Sequence, residues 1–317
     1  MNGAAAPNLT PLELPGWLEF VADRGGLQVE HVDLTPNTDL GRAVLFLDRR
    51  GRIRQPALMP YVPVVFHTSK ARAYARTVQW HQAAKILIDR MRTAGIANHV
   101  WLPPEIEDVR PWSWLGFRVD VAYGYILDLP WDPMSATRSF VRSIARAGEQ
   151  GVRVERTADT HAIMTCVAAT QGRKGYETGV TSSDLDAIMA ALGDNLRAFV
   201  ATSAEGEPLA SEVHLHVPGE RAYGWMAGMT KLGMTLGAQA VCRSVAAADT
   251  AAAGATGIEL RGGNSLRLSQ HIGQIGGRLV PNYGVRPYSV RAAARFGLDW
   301  VHSRTRRPRQ LDNSRLE

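Results

Sequence analysis

The sequence predicts a mixed α/β (α+β) fold in which helices pack on mixed sheets. Short apolar, β-branched runs alternate with helical patterns in both halves of the chain, as in sheets covered by helices. Three such runs, 196–202, 208–217 and 221–227, are separated only by short turns, which predicts antiparallel strands. With 317 residues and 45% apolar side chains, the chain has material for one large domain or two ordinary ones.

The first half contains four further apolar runs that predict strands, at 43–48, 61–67, 96–102 and 123–129. A helix is predicted over 70–93, with Ser69 as its N-cap, because the apolar positions fall mostly on one side and Gly95 follows. Poor order is expected before Trp17 because the first residues are rich in Pro. Pro130 to Pro133 interrupt the pattern, so we expect domains at 1–133 and 134–300, and a disordered basic tail at 301–317.

The second half begins with a helix predicted over 135–150, capped by Ser135. Further helices are predicted at 159–170, 182–192, 235–253 and 289–296, and further strands at 152–155, 258–260 and 278–285. The helix at 182–192 is expected to be capped by Ser182 or Ser183.

Two glycine pairs, Gly262-Gly263 and Gly276-Gly277, lie between the last two predicted strands. Paired glycines let a backbone turn tightly or approach a ligand closely, because no Cβ blocks either. The glycine-rich segment between these two strands carries seven polar or ionisable side chains, among them Arg261, Asn264 and His271. It is interpreted as a functional loop or, alternatively, as a polar loop that closes a hairpin.

One predicted strand places Glu212, His214 and His216 on the same face, because side chains alternate along a strand. A carboxylate and two imidazoles are suited to general-base chemistry near neutral pH. The alternative is a solvent-exposed edge face. On the neighbouring strand, Tyr223 and Trp225 are expected either to wall a cleft or to pack in the sheet.

The net charge of +6 favours an anionic partner such as nucleic acid, a nucleotide cofactor or a charged lipid face. Arg138, Arg142 and Arg146 are four residues apart and form one stripe on the predicted helix, either a solvated face or a track for phosphates. The segment with Arg173, Lys174 and Tyr176 is interpreted as a flexible loop that holds substrate.

Several classes of protein are disfavoured by the sequence. There is no metal-ligand spacing, so no metal is expected, and no phosphate-binding glycine motif or nucleophile elbow is present. No apolar run reaches about 18 residues and no secretory signal is visible, so we expect a cytoplasmic protein with no membrane partner.

Several strings, in their order, resemble the FemABX group of the acetyltransferase (GNAT) superfamily. They are Gly116-Phe117 leading to 125–129, Arg142–Ala147 leading to 151–154, Ile258–Gly263, and Ile275–Pro281. The resemblance spans roughly residues 40 to 297.

This resemblance implies tandem GNAT-like domains that face each other across a cleft. It also implies an N-acyltransferase that forms an amide bond, with aminoacyl-tRNA as donor, no bound cofactor, and a small-molecule or peptide amine as acceptor in natural-product biosynthesis. The alternatives are an acyl-CoA-dependent transferase and a non-catalytic scaffold that binds tRNA or a protein. A monomer or homodimer is expected.

One departure concerns the cation that faces the oxyanion in many family members. His271 and Ile272 stand where those members carry Phe and Lys. Either His271 or Arg261 takes part of that role, or backbone N–H groups near Gly262-Gly263 do, or the reaction differs. The expected catalytic residues are His214, His271, Arg261 and Glu212. The expected substrate-binding residues are Arg142, Arg146, Arg173, Lys174, Tyr176, Tyr223, Trp225, Asn264 and Tyr283.

Overall fold

A computed structural model describes residues 9–36 and 40–288, which form two sheets flanked by helices. The strands are β1 (Gln28–Asp33), β2 (Gly41–Leu47), β3 (Val64–Phe66), β4 (Val100–Trp101), β5 (Phe117–Asp128), β6 (Arg153–Arg156), β7 (Leu196–Thr202), β8 (Pro208–Leu215), β9 (Arg221–Met229), β10 (Gly257–Leu260) and β11 (Arg278–Pro287). The helices are α1 (Pro15–Gly25), α2 (Ala73–Ala94), α3 (Arg110–Trp114), α4 (Arg138–Glu149), α5 (Thr160–Lys174), α6 (Ser182–Leu192), α7 (Lys231–Leu236), α8 (Ala238–Ala252) and α9 (Leu266–Gly273).

The smaller sheet has the order β1-β2-β3 and the larger one the order β4-β11-β5-β10-β9-β8-β7-β6. Within the described residues, β9 and β10 are the one parallel pair of named strands. The larger sheet runs across the expected boundary after residue 133, because β5 precedes it while its neighbours β10 and β11 follow it. The expected domain limits therefore stay a prediction, and the two halves of the chain share one sheet.

The two faces of the larger sheet have different coverings. One face packs with α1, α5, α6 and the smaller sheet in a single core that includes the fully buried Trp17. The other face packs against α4, α8 and α9 in two further apolar clusters. Side chains alternate along each strand, so neighbouring residues of one strand face different layers of helices.

Caps define several helix starts. Asp159 caps α5 by accepting a hydrogen bond from Ala162 N at 3.0 Å. The helix α4 is capped by Thr137 rather than Ser135, and α6 by Thr181 rather than Ser182 or Ser183. Thr181 forms a reciprocal capping box with Asp184, which satisfies two N–H groups at once.

Some expectations from the sequence are wrong in detail. The glycine-rich segment contains the helix α9, because Leu268 packs on Gly262 and Ile272 is buried, so the segment has an apolar side. Order begins earlier than Trp17, with a short 3-10 helix at Pro11–Glu13 before α1, and β5 begins at Phe117 rather than near 123. The predicted helix at 289–296 and the basic tail at 301–317 lie outside the described residues.

Candidate functional site

Two cavities meet at Glu259, in the middle of the short strand β10. The first, here called the acidic cavity, has a volume of about 410 Å³ and lies between the smaller sheet, α2 and the ends of β9 and β10. The second, here called the loop cavity, has a volume of about 550 Å³ and is lined by β5 and the segment that follows β10. Both are of the size that holds small organic molecules.

The carboxylate of Glu259 is buried, with 5% of its side chain exposed. Its Oε2 accepts a hydrogen bond of 2.7 Å from the Tyr61 hydroxyl and lies 3.5 Å from the Arg221 guanidinium. Its Oε1 makes no hydrogen bond with any residue of the described chain. Burial raises the pKa of Glu259 above its usual value, although Arg221 and Tyr61 counteract part of the effect. This group is therefore a better proton acceptor than an exposed glutamate.

Cationic and phenolic groups surround this carboxylate. Arg221 also pairs with Glu105 at the cavity wall. Burial favours the neutral form of Arg221, but the anionic groups around it dominate and raise its pKa. Tyr223 is buried, and burial raises its pKa to about 12 even though the positive charge of Arg261 acts in the opposite direction. Arg261 therefore places a permanent positive charge beside Glu259 and the loop cavity.

The strands β9 and β10 separate beside Glu259. Their parallel pairing covers only Arg221–Tyr223 and Gly257–Glu259. Beyond it, β9 continues to Met229, while the chain after β10 follows β5, where the Asn264 side chain accepts from Tyr123 N at 3.0 Å. Within the described residues, positions 224–229 of β9 thus have no strand partner on the β10 side. Unpaired strand edges offer N–H and C=O groups to an extended ligand.

The first glycine pair is required by close packing of the chain on itself. Gly262 has a φ of +123°, and a Cβ there would lie 2.4 Å from Leu268 Cδ2. A Cβ at Gly263 would lie 2.6 Å from the Tyr123 carbonyl oxygen. The pair thus lets the chain bend away from β9 and form the wall of the loop cavity, of which Gly262 is part.

Glu212, His214 and His216 lie on the opposite face of the sheet, and all three are at least 97% buried. The interpretation as a solvent-exposed edge is therefore wrong, because β8 is an interior strand that lies under α8. Glu212 pairs with Arg243 at 2.6 Å and accepts a hydrogen bond of 2.5 Å from Gln239. Burial opposes ionisation of Glu212, but Arg243 and His214 outweigh it and hold its pKa below the usual value.

His214 is held inside this network. Its Nδ1 lies 3.1 Å from Thr250 Oγ1 and its Nε2 lies 3.3 Å from Glu212. Neither Glu212 nor His214 lines the acidic or the loop cavity. The structure therefore brings this expected pair together as a buried polar network, on the face opposite Glu259.

His271 lies on α9, near this network rather than beside Glu259. More than a third of the residue is exposed, yet loss of water around the ring lowers its pKa, with added effects from Arg243 and Lys174. In Arg243, Nε and Nη1 have no hydrogen-bond partner among the described residues. His271 is thus within electrostatic range of Arg243 and Lys174.

The basic residues expected to bind substrate lie on two helices, α4 and α5. Arg142 and Arg146 are exposed on α4, in the stripe that begins at Arg138. Arg173 and Lys174 end the helix α5, and Tyr176 follows it; all three are exposed. The end of α5 is tied to the end of β9, because Thr170 Oγ1 accepts from Met229 N at 2.9 Å. These cations therefore lie at the same end of the sheet as the unpaired part of β9.

The aromatic residues expected to bind substrate lie in different surroundings. Tyr223 lines the acidic cavity. Trp225 packs edge-on against Trp17, with ring centroids 5.0 Å apart, so it belongs to the core. Tyr283 on β11 is half-buried and lines neither of the two cavities.

The sequence did not predict Glu259 as a functional group. The sequence does contain one signal for its role, because Glu259 is a carboxylate between apolar residues of a four-residue strand. The deciding partner, Tyr61, lies 198 positions away in the sequence.

Comparison with known proteins agrees with this architecture. Residues 135–266 match the sequence family Acetyltransf_6, described as an acetyltransferase (GNAT) domain. The crystal structure of FemX superposes with a TM-score of 0.62 at 14% identity, covering 88% of this chain and 93% of FemX. The fold is that of the GNAT acyltransferases. This confirms the predicted mixed α/β class and the FemABX resemblance in fold.

Two further GNAT-fold structures are similar over most of their length. The C-terminal domain of a putative lysylphosphatidylglycerol synthetase from Agrobacterium fabrum has a TM-score of 0.58 at 11% identity, covering 89% of this chain and 90% of that domain. L-PGS from Bacillus licheniformis has a TM-score of 0.53 at 11% identity, with coverages of 92% and 96%. No curated protein has a sequence significantly similar to this chain.

Two kinds of feature are absent from residues 9–36 and 40–288. None of their helices has the length and apolar character needed to cross a bilayer. They also contain no group of His, Cys, Asp or Glu side chains arranged to hold a metal ion.

Proposed function

We propose that the protein is an N-acyltransferase that forms an amide bond at Glu259. The observation that carries the proposal is the unpaired Oε1 of this buried carboxylate, which lies where two cavities meet beside the separation of β9 and β10. An amine needs a proton acceptor within hydrogen-bond reach to become nucleophilic. The GNAT fold and the family match at 135–266 support acyl transfer as the reaction class.

The proposed reaction proceeds in two steps. The amine nitrogen of the acceptor attacks the ester carbonyl carbon of the donor, a C–N bond forms, and Glu259 Oε1 takes the proton from nitrogen. The C–O bond of the ester then breaks, and the proton passes from Glu259 to the departing oxygen. The amide and the free alcohol are the products, so atoms and charges balance.

Arg261 is the proposed partner of the oxyanion that forms between these steps. It lies beside Glu259 and lines the loop cavity, and a preorganised cation stabilises a charge that develops only in the transition state. This role corresponds to the one left open when Ile272 replaces the Lys of many FemABX proteins. Of the two side chains expected to stand in for that Lys, the position of Arg261 supports Arg261 rather than His271.

The proposed donor is an aminoacyl-tRNA. Arg138, Arg142 and Arg146 are exposed on α4, and no ion pair occupies any of them within the described residues. The helix α4 contacts the start of α8 closely, since a Cβ at Gly237 would lie 2.6 Å from the Ser143 carbonyl oxygen. A phosphate backbone held on this stripe would deliver an acyl end towards the open side of β9.

The second candidate is an acyl-CoA donor, favoured by the match to an acetyltransferase family at 135–266. The segment after β9 gives it less support. The Thr230 side chain caps α7 by accepting from Gly233 N at 3.0 Å, so this N–H is unavailable to a pyrophosphate. Gly233 itself packs tightly on β8, where a Cβ would lie 2.1 Å from the Leu209 carbonyl oxygen.

The experiment that tests the function offers the protein charged tRNA pools or acyl-CoAs with candidate amines, and detects the amide by mass. We expect product from charged tRNA that disappears after ribonuclease treatment of the donor. Product that survives ribonuclease and depends on acyl-CoA would show that acyl-CoA is the donor, while the proposed reaction class would stand. Binding of tRNA without any amide from either donor would support a non-catalytic scaffold and end the enzymatic proposal.

A further inference from the structure

The walls of the acidic cavity combine carboxylates with aromatic rings. Five acidic residues line it, namely Glu105, Glu107, Asp108, Glu220 and Glu259, whereas Arg221 is its one arginine or lysine within the described chain. Four aromatic side chains line it as well: Tyr61, Phe66, Trp80 and Tyr223. This composition contrasts with the net charge of +6 of the whole chain.

Ion pairs inside the protein neutralise only some of these carboxylates. Glu105 pairs with Arg221, and Asp108 is held by Arg110 at 2.8 Å and by His81 at 3.0 Å. Glu107 and Glu220 form no ion pair or side-chain hydrogen bond with any described residue. Two carboxylates of the wall are therefore available to a ligand, in addition to Oε1 of Glu259.

Glu220 is partly sheltered from water. It lies in the turn before β9, where its carbonyl oxygen accepts from Thr256 N at 3.1 Å. Burial raises the pKa of Glu220; the nearby His67 and Arg42 act in the opposite direction, and the carboxylates of Glu13 and Glu105 add to the rise. A cation bound beside it would remove this electrostatic cost of ionisation.

We propose that the acidic cavity takes an organic amine that carries a second positive charge, such as a diamine, as the acyl acceptor. One ammonium group lies against Glu107 and Glu220, the apolar body contacts the aromatic walls, and the other amine reaches Glu259 Oε1. Cations bind favourably to aromatic faces and to carboxylates that have no internal partner. The assignment as acceptor rests on the proposed acyl transfer, whereas selection of a dication rests on the cavity alone.

The same walls reject anionic acceptors. A phosphate or carboxylate on the acceptor would lie beside the carboxylates of Glu107 and Glu220, where like charges repel. Exposed basic residues are present instead on α4 and at the end of α5. The two proposed substrates are thus separated by charge, with the polyanionic donor outside and the cationic acceptor inside.

Three rigid probes of matched shape test the proposal by titration calorimetry. The probes are p-xylylenediamine, benzylamine and p-(aminomethyl)benzoate, which differ in the charge of one substituent. We expect the diamine to bind about tenfold more tightly than benzylamine, since a charged hydrogen bond contributes about 1.5 kcal/mol and 1.4 kcal/mol is a factor of ten. The benzoate should bind more weakly than benzylamine.

A double variant, Glu107→Gln and Glu220→Gln, assigns the preference to the proposed carboxylates. It should remove most of the tenfold advantage of the diamine while changing benzylamine affinity by no more than about twofold. The control is Glu149→Gln, the same chemical change at an exposed position of α4 outside the cavity, which should retain the advantage. Melting curves of all variants check that they fold.

Equal binding of the diamine and benzylamine, preference for the benzoate, or no binding of any probe would overturn the proposal. So would a double variant that keeps the full advantage. Failure of the proposed function has a different signature: the diamine binds with the expected preference, but no amide forms from any donor. Amide formation on benzylamine as readily as on the diamine would support the proposed acyl transfer but refute the selection of a dication.

Discussion

The ionisation of Glu259 depends on its burial and on its contacts with two residues, Arg221 and Tyr61. Burial disfavours the charge, while Arg221 and the Tyr61 hydroxyl stabilise it. The result is a carboxylate whose pKa is raised above its usual value. In the proposed reaction only the ionised form accepts a proton, so the rate should follow this ionisation.

Replacing Tyr61 by Phe should move the pH dependence of acyl transfer. The variant loses the hydrogen bond to Oε2, which stabilises the charged form, so the pKa of Glu259 should rise further. The value of kcat/KM falls as the pH falls through this pKa, and in the variant the fall should begin at a higher pH. Profiles of kcat/KM against pH measure this shift.

The control for this measurement is Tyr74→Phe, which removes a hydroxyl from a residue that is 82% exposed on α2. Its profile should match that of the parent. If Tyr61→Phe also leaves the acidic limb in place, the limb belongs to another group and Glu259 is not the base.

At the scale of elements, local patterns predicted most strands and helices, and long-range partners explain the failures. The run 208–217 was expected as a strand and forms β8, but its buried polar face depends on Arg243 and Gln239 from α8. Their positions follow from tertiary packing that a single sequence does not display. The helix α9 was missed because glycine pairs at both ends are typical of loops.

Replacing Arg243 by Met should destabilise the junction of β8 and α8. The change leaves Glu212 buried without its ion pair, which typically costs about 3–5 kcal/mol of unfolding free energy. Arg243 lowers the pKa of Glu212, so its contribution is present above the unfolded-state pKa and is lost as the pH falls. The difference between parent and variant should therefore shrink in acid. Urea unfolding at neutral and acidic pH measures it.

A second variant shows whether the missing charge is the cause. Glu212→Leu combined with Arg243→Met removes both charges and should recover much of the lost stability at neutral pH. A double variant as unstable as Arg243→Met alone would assign the loss to packing instead.

The bend after β10 should depend on Gly263. Alanine there would place a Cβ 2.6 Å from the Tyr123 carbonyl oxygen, and such overpacking costs about 1–3 kcal/mol. Gly148→Ala in the helix α4 is the matched control, because nothing lies within 4 Å of a Cβ built at Gly148. The control should be neutral or gain up to about 1 kcal/mol. Equal unfolding free energies for both variants would show that the close approach does not constrain the bend.

Over the whole molecule, basic and acidic surfaces are separated in a way that composition alone does not reveal. The sequence indicated an anionic partner from its net charge of +6, but it contained no sign of a cavity lined by five carboxylates. These acidic residues come from segments up to about 150 positions apart and meet only in the fold. The arginine stripe on α4 was visible because its residues are one helical turn apart.

Replacing Arg138, Arg142 and Arg146 by Gln should lower the affinity for charged tRNA and make that affinity less dependent on salt. Each lost phosphate contact reduces the slope of log affinity against log salt by about 0.7–0.9. The melting temperature should change little, since all three are exposed and form no ion pair within the described chain. Replacement of Arg49, Arg50 and Arg54 makes the same change in charge elsewhere on the surface. Equal salt slopes for the two triple variants would exclude the α4 stripe as a phosphate track.

Single-turnover amide formation by the parent and by Glu259→Gln tests the central claim most directly. Glutamine keeps the shape and the hydrogen bond from Tyr61 but cannot accept the proton of the amine. We expect the rate to fall by about a hundredfold or more, with donor binding and melting temperature retained. A Glu259→Gln protein that forms amide at the parent's rate would contradict the account.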